Sequence, residues 1–185
     1  MDSLFAGALC FSGSPNWLSK TIMWFTDSNY SHAFIGSRNY LRLSMLIEAT
    51  SKGVIFTPWR HYEHGKYNYR VYFPKISVEE RNRALEKIAF EYLDDPYGYK
   101  ELILMGVSIA LRAVGIKYKP PKSKNLVCSG LMLKYLKACP TVADLFKDMI
   151  PEDVSPEQLL EVMEKTPNKF VLIEVKGRNE NNSDK

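Results

Sequence analysis

Three residues of this chain have the types that acyl-transfer chemistry uses: His32, Glu48 and Cys128. A neutral imidazole with one nitrogen held by a carboxylate presents its other nitrogen as a base. A thiol is the nucleophile such a base activates most readily. The spacing of the first two can be tested. Ser31 to Gly36 and Ser44 to Ala49 are near enough in sequence to pair as a hairpin around Asn39-Tyr40. With the turn centred on Tyr40, the opposed pairs are Ala33/Ile47 and Ile35/Met45 on one face, and His32/Glu48, Phe34/Leu46 and Gly36/Ser44 on the other. The first face is apolar, and the second sets His32 directly opposite Glu48. A bulge would shift this register.

Cys128 opens a stretch with Leu131, Leu133, Tyr135 and Leu136 that reads as a helix ending at Cys139-Pro140. At a helix N-terminus the peptide dipoles favour the thiolate, and with a His⁺ nearby the pKa falls from about 8.5 into the range of roughly 3.5–7.5. The same amides are candidates for an oxyanion hole. Cys139 lies at the helix's other end, where the dipole disfavours a thiolate, and Cys10 lies in an apolar strand, so both read as packing residues.

The elements that must position these groups follow from the pattern. Leu4 to Phe11 reads as a buried first strand. Ser-Gly-Ser-Pro then leads to Trp17, Leu18, Ile22 and Phe25 at near-helical spacing. Ser31–Ser37, Leu43–Thr50, Gly53–Thr57 and Asn68–Phe73 are short β-branched or aromatic segments that suggest a small antiparallel sheet. The spacing predicts a helix over Val78–Leu93, stopped by Asp94-Asp95-Pro96-Tyr97-Gly98, where Pro96 bars continuation. A second apolar helix is expected from Lys100 to Val114. Ser155-Pro156-Glu157-Gln158 carries an N-cap serine, a proline at the first helical position and a glutamine three residues after the serine, which predicts a helix over Pro156–Lys165. Phe170–Val175 is a last strand, and residues 176–185 form a polar tail with nothing to bury.

These motifs in this order resemble the circularly permuted papain-like proteins: Ser-His-Ala-Phe-Ile, Ile-Glu-Ala with a Gly-Val strand, Asp-Pro-Tyr-Gly-Tyr, Val-Cys-Ser-Gly-Leu, and Ser-Pro-Glu-Gln-Leu. The subgroup is YiiX-like, allied to NlpC-type cell-wall peptidases and to lecithin:retinol acyltransferase. The resemblance runs from about Leu4 to Leu160. It implies an α+β fold of the permuted papain-like, NlpC-like kind, a small antiparallel sheet packed against helices, as one domain over residues 1–175. It also implies a Cys128–His32–Glu48 triad, with Tyr30, Tyr97, Tyr99 and Ser129 as candidates for the substrate cleft. The chain departs from many relatives at Gly130, where they carry an acidic residue.

The implied activity is that of a cysteine hydrolase, a peptidase or amidase acting on cell-wall-type peptides such as peptidoglycan. An alternative is acyl transfer or hydrolysis on a lipid ester or thioester, with contact to an acidic substrate or membrane surface through the apolar 102–111 stretch and the basic 117–124 loop. A further alternative is a non-catalytic binding or structural subunit that retains the fold.

Composition excludes several other classes. With 185 residues, 45% hydrophobic, 12% aromatic and ten each of Gly and Pro, the chain has an ordinary globular make-up. A net charge of +4 gives little support for nucleic acid. Three cysteines without a CxxC exclude a disulfide scaffold. His61, Glu63 and His64 form a compact cluster that lacks a fourth ligand and reads as a solvated turn, so no metal is expected. No nucleotide-binding glycine loop or His-Glu-x-x-His occurs, and no cofactor is expected. Leu102–Leu111 is about half the roughly 20 residues needed to span a bilayer. The amino-terminal stretch lacks the basic start of a signal sequence, so a reducing, cytoplasmic setting is the expectation.

Overall fold

A computed structural model of the chain describes residues 6–13, 29–40, 43–63, 67–96 and 127–176, together with Leu104, Val107, Leu111, Gly115 and Ile116. Six antiparallel strands form one sheet: β1 (Leu9–Gly13), β2 (His32–Gly36), β3 (Met45–Thr50), β4 (Gly53–Pro58), β5 (Asn68–Pro74) and β6 (Phe170–Lys176). Their spatial order is β4-β3-β2-β1-β5-β6. A single helical turn, α1 (Arg60–Glu63), joins β4 to β5, and α2 (Val78–Tyr92) follows β5. The second half of the chain supplies α3 (Cys128–Lys137), α4 (Pro140–Ala143) with a 3₁₀ turn at Asp144–Phe146, and α5 (Pro156–Lys165). The architecture is α+β, as expected. The expected helices over 17–25 and 100–114, the basic loop at 117–124, Tyr97, Tyr99 and the tail beyond Lys176 fall largely or wholly outside the described residues.

Alternation along the strands buries both faces of the sheet. Leu9, Phe11, Ala33, Ile35, Ile47 and Ala49 face the larger core, where α3 contributes Leu131, Met132 and Tyr135 and α2 contributes Leu85 and Ile88. Ala8, Cys10, Phe34 and Leu46 point to the opposite face, where they cluster with Tyr69 and Val71 of β5 and with Tyr62 of α1. This is the period-2 arrangement of a sheet with material on both sides. Helix α3 is buried along most of its length, from Cys128 to Leu136, which holds its first residue still.

The helices begin where side chains satisfy their free amides. Ser77 Oγ accepts from the Glu80 amide at 3.1 Å at the start of α2. Ser155 and Gln158 form a reciprocal capping box on α5, with bonds of 3.2 and 2.8 Å. Helix α2 ends at Tyr92 with Leu93 as its extended C-cap, Asp94 follows with φ 67°, and the turn docks on strand β4. Val54 donates to the Asp95 carbonyl and Asp94 to the Val54 carbonyl, each at 3.0 Å. The acidic pair follows the helix end and ties the turn to the sheet's edge strand.

The first strand differs from the sequence expectation: it begins at Leu9 rather than Leu4. Gly7 has φ +80° and donates to the Gly36 carbonyl at 2.7 Å, so the chain turns before it enters the ladder. A Cβ on Gly7 would lie 2.5 Å from Arg81 Cγ and Cδ and 2.6 Å from Tyr135 Oη. Both side chains are buried, so neither can swing clear. Gly7→Ala is therefore expected to cost about 1–3 kcal/mol, combining backbone strain with the displaced contacts. Urea unfolding measures it, and an unchanged midpoint would show that this turn relaxes freely.

Candidate active site

The hairpin forms, with a different register. Ile35 pairs with Ile47 and Gly36 with Leu46, two positions along β3 from the expected partners. The cause lies at the tip: Tyr40 and Leu43 exchange backbone bonds of 2.9 and 2.8 Å, and Ser37 donates to the Met45 carbonyl at 2.7 Å. Between these links two residues, Arg38 and Asn39, oppose one, Ser44, so an extra residue is absorbed there. A slip of two preserves each residue's face, where a slip of one would have reversed it. His32 and Glu48 are therefore diagonal neighbours rather than directly opposed, and they still meet.

His32 Nε2 donates to Glu48 Oε2 at 2.7 Å. Glu48 is almost wholly buried, at 2% exposure. Burial alone would raise its pKa, yet donation by His32, by Thr57 and by Tyr62 holds it below the usual carboxylate value. The Tyr62 hydroxyl donates to the same Oε2 at 2.5 Å. With Nε2 committed to Glu48, Nδ1 is the nitrogen left to the Cys128 side chain, whose hydrogen bond and charge act on the ring. Burial pushes the His32 pKa down, but the Cys128 sulfur and the Glu48 carboxylate outweigh it and the net shift is upward.

Cys128 lies at the first position of α3, behind the extended N-cap Val127. Among the described residues no side chain caps this end; no acidic residue occupies the helix's first turn, while Lys134 and Lys137 occupy the last. The helix's positive end thus lies beside the sulfur. Burial raises the thiol's pKa, but the charge and hydrogen bond of His32, with the Ala33 and Ser129 amides, more than offset it, and the net shift is downward. The other two cysteines behave oppositely. Burial pushes Cys10 well up, and burial with the Glu80 charge pushes Cys139 up to about 12. Cys128 alone among the three has a thiolate-favouring environment.

The remaining expected site residues divide. Ser129 turns its hydroxyl away, donating to the Val154 carbonyl at 2.6 Å from a buried position. Its side chain ties α3 to the segment before α5, and its amide serves the sulfur. Tyr30 is buried against Phe11, ring centroids 6.5 Å apart, with the Arg70 guanidinium 5.8 Å from its ring. It is a core residue two positions before His32.

Sequence reasoning missed Tyr62. It read 61–64 as a solvated turn, and His61 and Glu63 are exposed as that reading requires; His64 is outside the described residues. Between them Tyr62 folds inward, its ring 4.3 Å from Phe34 and 6.4 Å from His32. One helical turn is too short to show a period, so only the clustering of Trp59, Tyr62, Tyr67 and Tyr69 hinted at a buried aromatic layer.

Among the described residues, no group of three His, Cys, Asp or Glu side chains is placed to hold a metal ion. None of their helices is long and apolar enough to cross a membrane. A cavity of about 490 Å³ opens between the hairpin tip and α2, lined by Tyr40, Met45, Ile47, Phe56, Leu85 and Ala89. It lies at the far end of the strands from His32 and includes none of the three candidate residues.

No family model matches the chain and no curated protein matches it. A solved structure does: the metalloprotein YiiX from Escherichia coli O157:H7 superposes with a TM-score of 0.63 at 19% identity, over 92% of this chain and 97% of that one. The chain shares the fold of YiiX over nearly the whole length of both.

Proposed function

We propose that this protein is a cysteine hydrolase of the permuted papain-like kind, acting through Cys128, His32 and Glu48 on the amide bond of a cell-wall-type peptide. One observation carries the reading: the His32–Glu48 bond at 2.7 Å fixes an imidazole whose remaining nitrogen serves the one cysteine whose pKa is pushed down. The Cys128 thiolate attacks the carbonyl carbon, forming the C–S bond as the C=O π electrons move to oxygen. His32 then gives its Nδ1 proton to the leaving amine as the C–N bond breaks, leaving an acyl-enzyme. Water, deprotonated by His32, attacks the thioester, and the thiolate leaves with the carboxylic acid formed. Glu48 keeps the ring's other N–H bonded throughout and offsets the imidazolium charge.

YiiX is described as a metalloprotein, and the residues here do not fit a resident metal at this site. Glu48 is engaged by His32, Tyr62 and Thr57, and His32 Nε2 is spent on Glu48. One nitrogen and one sulfur remain, short of the three protein ligands usual even in an open zinc site.

Acid-quenched mixtures with muropeptides and, separately, with acyl lipids distinguish the substrate classes by mass. The expected product is a peptidyl adduct on Cys128. A fatty-acyl adduct instead would make the protein a lipid acyl hydrolase or acyltransferase. No adduct from either, with Cys128 no more reactive than an ordinary thiol, would leave a binding module that retains the fold.

A further inference from the structure

Glu48 is a buried anion, and what keeps it charged comes from three elements: His32 on β2, Thr57 on β4 and Tyr62 on α1. Burying a carboxylate without such donors raises its pKa and neutralises it. Tyr62 bonds this carboxylate more closely than His32 does, at 2.5 Å against 2.7 Å, and on the same oxygen that takes the His32 proton. Its position is over-determined. Trp59 donates to the Ser44 carbonyl at 2.8 Å, Tyr62 closes the turn on the Trp59 carbonyl at 2.9 Å, and its ring stacks on Phe34 at 4.3 Å and packs tilted against Tyr67 at 5.0 Å. The titratable groups around it are Glu48, His32 with its ring stacked at 6.4 Å, His61 against its ring edge at 5.2 Å, Tyr67 and, through space, Cys128. Burial and the Glu48 charge push the phenol's own pKa far up, so it remains a donor at every working pH.

We propose that Tyr62 is a positioning residue of the active site, whose hydroxyl holds Glu48 ionised and aimed so that the carboxylate can support the His32 imidazolium. This rests on the triad reading above and adds a fourth member to it. The sign follows from the linkage. As Glu48 takes up a proton the imidazolium loses its counter-charge, and the thiolate–imidazolium pair gives way to thiol and imidazole. Removing the Tyr62 donor raises the Glu48 pKa, so this loss begins at a higher pH.

The test is the rate of Cys128 alkylation by iodoacetamide as a function of pH, read by peptide mass spectrometry, in wild type, Tyr62→Phe, Glu48→Gln and the double variant. Phenylalanine keeps the ring stack and removes only the hydroxyl. Tyr62→Phe is expected to move the acid limb up by roughly one to two pH units, a loss of about tenfold or more in rate on that limb. In the Glu48→Gln background the same change should move it no further. A packing role would scale the whole curve or leave it alone, so an unmoved limb overturns the proposal, as does an equal shift in the Glu48→Gln background. A wild-type Cys128 that titrates as an ordinary thiol overturns the triad reading with it; an activated wild type with an unmoved Tyr62→Phe limb removes only Tyr62. Should Tyr62→Phe not fold, the Tyr62 hydroxyl proton in the wild-type NMR spectrum carries the same test. It should be protected from exchange and move with the acid limb, and a freely exchanging proton overturns the proposal.

Discussion

Replacing Cys128 by alanine is expected to lower turnover by a factor on the order of 10⁴–10⁶, and adding His32→Ala to that variant should lower it hardly further. The reason is geometric. Without the sulfur the imidazole has no thiol to deprotonate, and no tetrahedral intermediate forms whose leaving amine could take its Nδ1 proton. Independent roles would multiply instead. The wild-type rate should follow a bell in pH. It rises as the thiol ionises, below its ordinary range because the Cys128 pKa is lowered, and falls only where the imidazolium deprotonates, above its ordinary range because the His32 pKa is raised. Steady-state assays on a peptidyl amide of the cell-wall type measure both. A His32→Ala enzyme with near-full turnover would reduce the hairpin pairing to packing.

Glu48→Ala is expected to be the most destabilising single change in the site, at about 2–4 kcal/mol, because it strands a part-buried imidazole N–H and a buried phenol together. Glu48→Gln, which retains an oxygen acceptor, should fold and lose activity. The pH dependence separates charge from shape. A carboxylate whose pKa is lowered by folding contributes stability above its ordinary value of 4.5, and that contribution is lost as pH falls through the folded value. A histidine whose pKa is raised contributes fully below its ordinary value of 6.5 and loses the contribution as pH rises through the folded value. The advantage of wild type over Glu48→Gln should thus be largest between those two ordinary values and fade in stronger acid. Urea titrations at several pH values measure it, and an advantage that persists unchanged at pH 2 would mean the carboxylate's charge is immaterial.

What the sequence discloses about this fold depends on where the information is local. The Ser155-to-Gln158 capping box marks α5 to the residue because both partners lie within one turn. The faces of β2 and β3 follow from alternation alone, which is why His32 and Glu48 fall on one side even though the register differs by two. Register itself is set by the hairpin tip, where the extra residue opposite Ser44 leaves no mark in hydrophobic pattern. The start of β1 was hidden likewise: Leu4 to Phe11 is uniformly apolar, and only the positive φ of Gly7 shows where the chain turns in. Tyr62 was least accessible, since its contact with Glu48 joins a one-turn helix to a strand in a different register from the one expected.

In the proposed triad Cys128 alone among the cysteines is an activated nucleophile. Site-resolved alkylation of the native protein by iodoacetamide across pH 5–10 tests it most directly, with Cys10 and Cys139 as internal comparisons in the same chain. Cys128 should be labelled at neutral pH at least tenfold faster than either. Its acid limb should lie well below the roughly 8.5 of a free thiol, and it should move up in His32→Ala. A Cys128 labelled no faster than Cys10 and Cys139, or one whose rate rises only near pH 8.5 and ignores the loss of His32, would contradict it.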